Sequence, residues 1–196
     1  MTSSNNILFI DIETIGLPNR ISFSEYYSPI EITHYDSSRI IEIGYIICNN
    51  TEIIKKVDNL IKPNNFTINN TNIHGITHEQ AENEGKSISD VLDILYNDLD
   101  LVETVISHNS LFDINIILSE CHRINHKLFN KLNSKIIKCT MKLGKEFMKS
   151  EKYPKLTELY KFIFNQEIIQ EHRALSDSII CKDCYYFIIK KNENSL

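Results

Sequence analysis

Residues 7–13 read Ile-Leu-Phe-Ile-Asp-Ile-Glu, an apolar run that two carboxylates interrupt at its far end. So short and apolar a stretch reads as a central strand covered on both faces. Strand side chains alternate, so Asp11 and Glu13 leave one face while Ile12 enters the other. Two acids closing a buried strand are costly unless they are paired or hold a metal. The plainer alternative is a strand that simply ends in solvent.

Working outward, Arg39–Cys48 is a second strand and Ile53–Ile61 a third, stopped by Pro63. Between the first two, residues 18–38 carry Pro18, Pro29 and many polar side chains, which predicts a long loop or insertion. Ser87–Leu99 has apolar residues at 88, 91, 92, 95 and 99, the spacing of an amphipathic helix, with Ser87 or Ser89 as its cap. Val102–Ser107 is a strand, Leu111–Cys121 a helix and Ile136–Thr140 a short strand. Helices follow at 141–149, 155–164 (opened by Pro154) and 174–190. This order predicts a mixed α/β sheet with helices packed on its faces.

The chain has 196 residues, 42% hydrophobic and 24% charged, enough for one domain with a sizeable core. It shows no internal repeat and no linker that would split it. No apolar run approaches a membrane span. The N-terminus, MTSSNN, lacks the basic region of a signal peptide, so the expected location is intracellular, cytoplasmic or nuclear. Five cysteines in that setting do not suggest a disulfide framework, and Cys181 and Cys184 fit a helix flank better than a zinc site. A net charge of −5 gives no electrostatic case for nucleic-acid binding, but carboxylates count as negative only until cations bind them.

Two further acidic motifs follow the first. In His108–Asp113 (HNSLFD), Asn109 can cap the helix and Asp113 then lies one turn on, facing back toward the strand end. A first-turn acid is also what the helix dipole alone favours. In His172–Asp177 (HRALSD), Asp177 shares a helix face with Ile180, Cys181, Cys184 and Ile188 and so points toward the core. An acid on an apolar stripe is unusual without a partner. His172 stands outside the stripe, on the loop entering the helix.

Taken together, DIETIGL at 11–17, RIIEIG at 39–44, IHGIT at 73–77, HNSLFD at 108–113 and HRALSD at 172–177 resemble the DEDDh exonucleases. That family belongs to the ribonuclease H-like superfamily and includes the proofreading epsilon subunit of bacterial DNA polymerase III. The resemblance implies a ribonuclease H-like fold, a five-stranded mixed sheet flanked by helices, as a single exonuclease domain over 1–196. It implies Asp11, Glu13, Asp113 and Asp177 as ligands of two Mg²⁺ or Mn²⁺ ions and His172 as general base. Thr14, Ile15, His74, Asn109 and Phe112 would bind the terminal nucleotide. The implied activity is 3′–5′ release of nucleoside 5′-monophosphates from single-stranded 3′ ends by a two-metal-ion mechanism, with DNA as the expected substrate.

An RNA exonuclease or oligoribonuclease-like enzyme is the alternative, since recognition of a 2′-hydroxyl depends on pocket geometry. A catalytically inactive nucleic-acid-binding module fits less well, because no ligand position is lost. Proofreading or DNA repair would need a polymerase or repair partner in trans. Finally, Lys135, Lys138, Lys142, Lys145, Lys149 and Lys152 recur at spacings of three and four, and residues 127–161 hold ten lysines against three acids. That is either a solvated face or a stripe that holds a nucleic-acid backbone.

Overall fold

Alternating burial along the first strand organises the molecule. In the structure, a computed structural model describing residues 6–22, 24–168 and 172–193, β1 spans Asn6–Thr14. Leu8, Ile10 and Ile12 enter one core, with Val91, Leu92, Ile116 and Ile117. Phe9 enters the other, with Cys181, Cys184 and Ile188. The face that carries Phe9 ends in Asp11 and Glu13, so the strand is apolar along its length and acidic at its exit.

A small hairpin, β2 (Arg20–Ser22) and β3 (Glu25–Tyr26), and a 3₁₀ helix, Ile32–Ser38, occupy the 18–38 segment. The segment is therefore folded onto the body. Tyr35 is fully buried and donates to the Tyr27 carbonyl, and Arg123 pairs with Asp36. Then come β4 (Ile40–Asn49), β5 (Glu52–Leu60), α1 (Thr71–His74), α2 (His78–Glu84), α3 (Ile88–Asp98) and β6 (Thr104–Ser107). After them follow α4 (Ser110–Arg123), α5 (Leu128–Asn133), β7 (Ile136–Cys139), α6 (Thr140–Met148), α7 (Leu156–Phe164) and α8 (Ala174–Glu193). Ser87 caps α3, its side chain accepting the Asp90 N–H at 3.1 Å.

The main sheet has five strands in the order β5-β4-β1-β6-β7, with β4 antiparallel to β1 and β5, and β6 and β7 parallel to β1. This is the expected mixed sheet flanked by helices, and its ribonuclease H-like form agrees with the sequence. The short helices α1, α2 and α5 were not foreseen, since four to seven residues are too few to show a helical period. Gly44, paired with Asp11 in the β1–β4 register, is where α8 comes down on the sheet. A Cβ there would meet the Leu175 nitrogen at 2.1 Å, so only glycine lets the first turn of α8 approach. Among the described residues, no helix is long and apolar enough to cross a membrane.

Candidate active site

Three elements converge at the exit of β1. β1 contributes Asp11 and Glu13, α4 brings the buried Asp113 in its first turn, and α8 brings the buried Asp177 in its first turn. One ring nitrogen of His172 and one oxygen each of Glu13 and Asp177 all lie within 4.8 Å of one another, close enough to share a cation. The structure thus brings together all four acids and the histidine singled out in the sequence.

Burial, then mutual repulsion, sets their protonation. Desolvation raises the Asp11 carboxyl well above the usual range, and the charges of Asp113, Asp177, Glu13 and Glu42 raise it further. Glu13 is pushed up to about 8, by burial first and then by Asp177, Glu42 and Asp113, against a downward pull from Arg173. Asp113 rises to about 7, chiefly through burial, and its Oδ2 is buried without a hydrogen-bond partner. Hard oxygen donors packed this tightly, one of them orphaned, suit divalent cations such as Mg²⁺ or Mn²⁺.

The sign of the pH effect follows. In metal-free protein the folded Glu13 and Asp113 hold protons more tightly than the unfolded chain does. Their stabilising contribution is present below the unfolded values of 4.5 and 3.8 and is lost as pH rises through about 7 to 8. Half-buried His108 acts oppositely. Burial lowers it to about 4, so its contribution is lost as pH falls below 6.5. Thermal melting in EDTA between pH 6.5 and 8.5 should therefore fall with pH, and fall less steeply for Glu13→Gln. Parallel curves for parent and variant would contradict this account.

A further residue, not singled out in the sequence, organises the site. Glu42 on β4 is paired with Glu13 across the strands and is fully buried. Its Oε1 accepts from Arg173 Nε at 2.8 Å and also from Arg173 Nη2, and its Oε2 accepts the Ala174 N–H at 2.8 Å. One carboxylate thus pins the residue after His172 and the start of α8. The sequence signal was a lone acid inside an apolar strand. Arg39 plays a similar part for α4, pairing with buried Glu120 at 2.5 Å.

A cleft of about 790 Å³ opens beside the acids, lined by Asp11, His108, Asn109, Tyr153, Lys155 and His172 among others. Asn109 stands at the helix N-cap position as expected, but its side chain makes no cap hydrogen bond. Its backbone is left-handed (φ 70°), whereas a capping side chain needs an extended backbone to reach the first-turn N–H groups. His172 is left-handed too (φ 48°), a conformation that asparagine adopts readily and that is less common for histidine.

The other residues expected around the terminal nucleotide lie off this cleft. Ile15 packs beside Leu60 and Phe66, and Phe112 against the main core. His74 is buried, with Nδ1 accepting the Ile76 N–H at 3.0 Å. That leaves the proton on Nε2, which donates to Asn70 Oδ1, while Asn70 Nδ2 donates to the Thr14 carbonyl. His74 therefore braces the backbone at Thr14 and has no ring nitrogen left for a nucleotide. A hollow of about 830 Å³ lined by Tyr160, Phe164, Tyr186 and Phe187 lies at the far end of the sheet, away from the acids.

The family model for RNase T, described as an exonuclease, matches residues 8–185. The chain belongs to this exonuclease family. The assignment made from the sequence, a 3′–5′ exonuclease of the DEDD type and so a phosphodiester hydrolase, stands with it. No curated protein matches the sequence. Among solved structures, the exonuclease is similar to Exonuclease X in complex with 5′ overhanging duplex DNA (22% identity, 95% of this chain and 93% of that one, TM-score 0.64). It is also similar to E. coli Exonuclease I with a dA16 oligonucleotide (15%, 95% and 41%, TM-score 0.70). A third is a 3′-exonuclease solved for 3′-end specific recognition of a histone mRNA stem-loop (17%, 96% and 64%, TM-score 0.71). The chain spans about two fifths of Exonuclease I. At these identities the likeness is one of fold.

Proposed function

We propose that this exonuclease removes nucleoside 5′-monophosphates one at a time from single-stranded 3′ ends, with DNA as substrate. Asp11, Glu13, Asp113 and Asp177 hold two Mg²⁺ or Mn²⁺ ions, and His172 is the general base. The observation that carries this reading is the convergence of four acids, three of them raised above their ordinary range, with His172 at the mouth of one cleft. Such a cluster repels itself until cations neutralise it.

When bound, the cations supply charge neutralisation at the phosphodiester and at the departing 3′ oxygen. The chain's own residues do the rest. His172 accepts the proton of the attacking water. Glu42 and Arg173 hold the His172 backbone and the start of α8, and so Asp177, in register with β1. Thr14 and Ile15, braced through Asn70 and His74, together with Phe112, form the side of the site that takes the terminal nucleotide.

Solved structures of the same fold carry DNA in two cases and recognise a histone mRNA stem-loop in another, so RNA is the second reading. Proofreading or repair, with a polymerase acting in trans, follows only from a DNA substrate. Matched 3′-labelled single-stranded DNA and RNA, digested with Mg²⁺ and with EDTA, decide it. Mononucleotide release from DNA that EDTA abolishes is the expected result. Faster release from RNA would turn the assignment to the second reading, and no release from either would leave a binding module.

A further inference from the structure

The cleft beside Asp11 and His172 continues past the acids. Tyr153 lines it, and Tyr153 also lines an adjoining hollow of about 400 Å³ bounded by Lys142, Lys145, Glu146, Lys149 and Ser150. Lys142, Lys145 and Lys149 recur at the three- and four-residue spacing that puts them on one face of α6 and its C-cap. Lys142 and Lys149 are exposed, and Lys145 Nζ sits 4.6 Å from the centre of the Tyr153 ring. Glu146 is the single acid in that lining, so the hollow is cationic on a chain whose net charge is −5.

Neither the ring nor the helix floats relative to the acids. His108, at the end of β6, accepts from the Thr140 hydroxyl at the start of α6 through Nδ1 at 3.0 Å. Its Nε2–H donates to the carbonyl of Pro154, next to Tyr153, also at 3.0 Å. One half-buried, neutral histidine therefore ties the lysine helix and the aromatic ring to the edge of the site. Two other lysines of the sequence pattern are drawn elsewhere. Lys135 donates to the Val102 carbonyl at 2.7 Å, and Lys138 reaches the Tyr185 hydroxyl at 3.2 Å.

Direction follows from the topology. Thr14 and Ile15 lead from β1 toward the β4–β5 side of the sheet, whereas this cleft opens toward β6, α6 and residues 153–157. A terminal nucleotide on the first side sends the rest of its strand out on the second.

Resting on the exonuclease reading above, we infer that Lys142, Lys145, Lys149 and Tyr153 hold the single strand 5′-ward of the cut. The ammonium groups meet successive phosphates and a base stacks on Tyr153. Stacking and phosphate contact ignore base identity, so the grip is independent of sequence. It strengthens with strand length until the α6 face is filled.

The test measures binding of a fluorescent 20-residue oligothymidylate at several salt concentrations, with Asp113→Asn in every protein so that the strand survives. Three lost phosphate contacts at about 0.7 each should make the salt slope of Lys142→Gln/Lys145→Gln/Lys149→Gln shallower by about two units. Tyr153→Ala should weaken binding about tenfold or more at fixed salt, and Tyr153→Phe, which keeps the stack, should restore it. With Asp113 intact, the lysine variant should cut a dinucleotide at the parental rate and the 20-mer more slowly at low concentration. Equal salt slopes in a parent that cuts both substrates would overturn the strand path alone. A parent that cuts neither would overturn the exonuclease reading and the strand path with it.

Discussion

Asp113→Asn should lower nucleotide release by about 10³-fold or more while the fold persists. The carboxylate sits in the first turn of α4, buried, with Oδ2 lacking a hydrogen-bond partner. If it is a cation ligand, its loss removes several kcal/mol of charge stabilisation at the phosphodiester, and each 1.36 kcal/mol is tenfold in rate. Asparagine preserves volume, so the packing of α4 against β1 gives no separate reason for inactivity. The same change should raise the melting temperature in EDTA at pH 8. There the parent carries a buried carboxylate whose value, about 7, puts it mostly in the costly charged form. Turnover and melting are measured on the same preparations. Activity within tenfold of the parent would sink the ligand assignment. Inactivity with a lowered melting temperature in EDTA would make Asp113 structural.

Much of this arrangement was legible because it rests on short-range pattern. The period of two in ILFIDIE gives β1 its two cores and places Asp11 and Glu13 on one face. The period of 3.6 in α8 puts Asp177 beside Cys181 and Cys184, which pack in the core as a helix flank should. What stayed hidden depends on distant partners or on backbone sign. Glu42 and Arg173 stand 131 residues apart, and no local rule pairs them. Asparagine serves both side-chain caps and left-handed turns, so the residue type at 109 suggested a cap that the geometry refuses. The resemblance offers His74 to the terminal nucleotide, yet Ile76 and Asn70 occupy both ring nitrogens. The lysine spacing was visible from the start, but the diversion of Lys135 and Lys138 into the fold was not.

His172→Ala should slow the chemical step by about 10²–10⁴-fold, the usual worth of a general base, and leave cation affinity unchanged. Rate and cation affinity are both measured, because one ring nitrogen of His172 lies within 4.8 Å of the Glu13 and Asp177 oxygens and could itself serve as a ligand. Calorimetric titration with Mn²⁺ separates the roles. Intact binding with slow turnover marks a base, whereas weakened binding would reassign His172 to the cation site. Added imidazole should recover part of the rate in His172→Ala, since a diffusing base can fill the space the side chain leaves. Glu42→Gln supplies the control for positioning. It keeps the shape of the pin on Arg173 and Ala174 but removes its charge, so the His172 loop, left-handed at φ 48°, is held less firmly. Its kcat should drop by less than that of His172→Ala with KM little changed, and imidazole should do nothing, because the base is present but misplaced. If imidazole rescues both variants equally, Glu42 is not acting through the orientation of His172. If His172→Ala turns over at the parental rate, the proton leaves by another group.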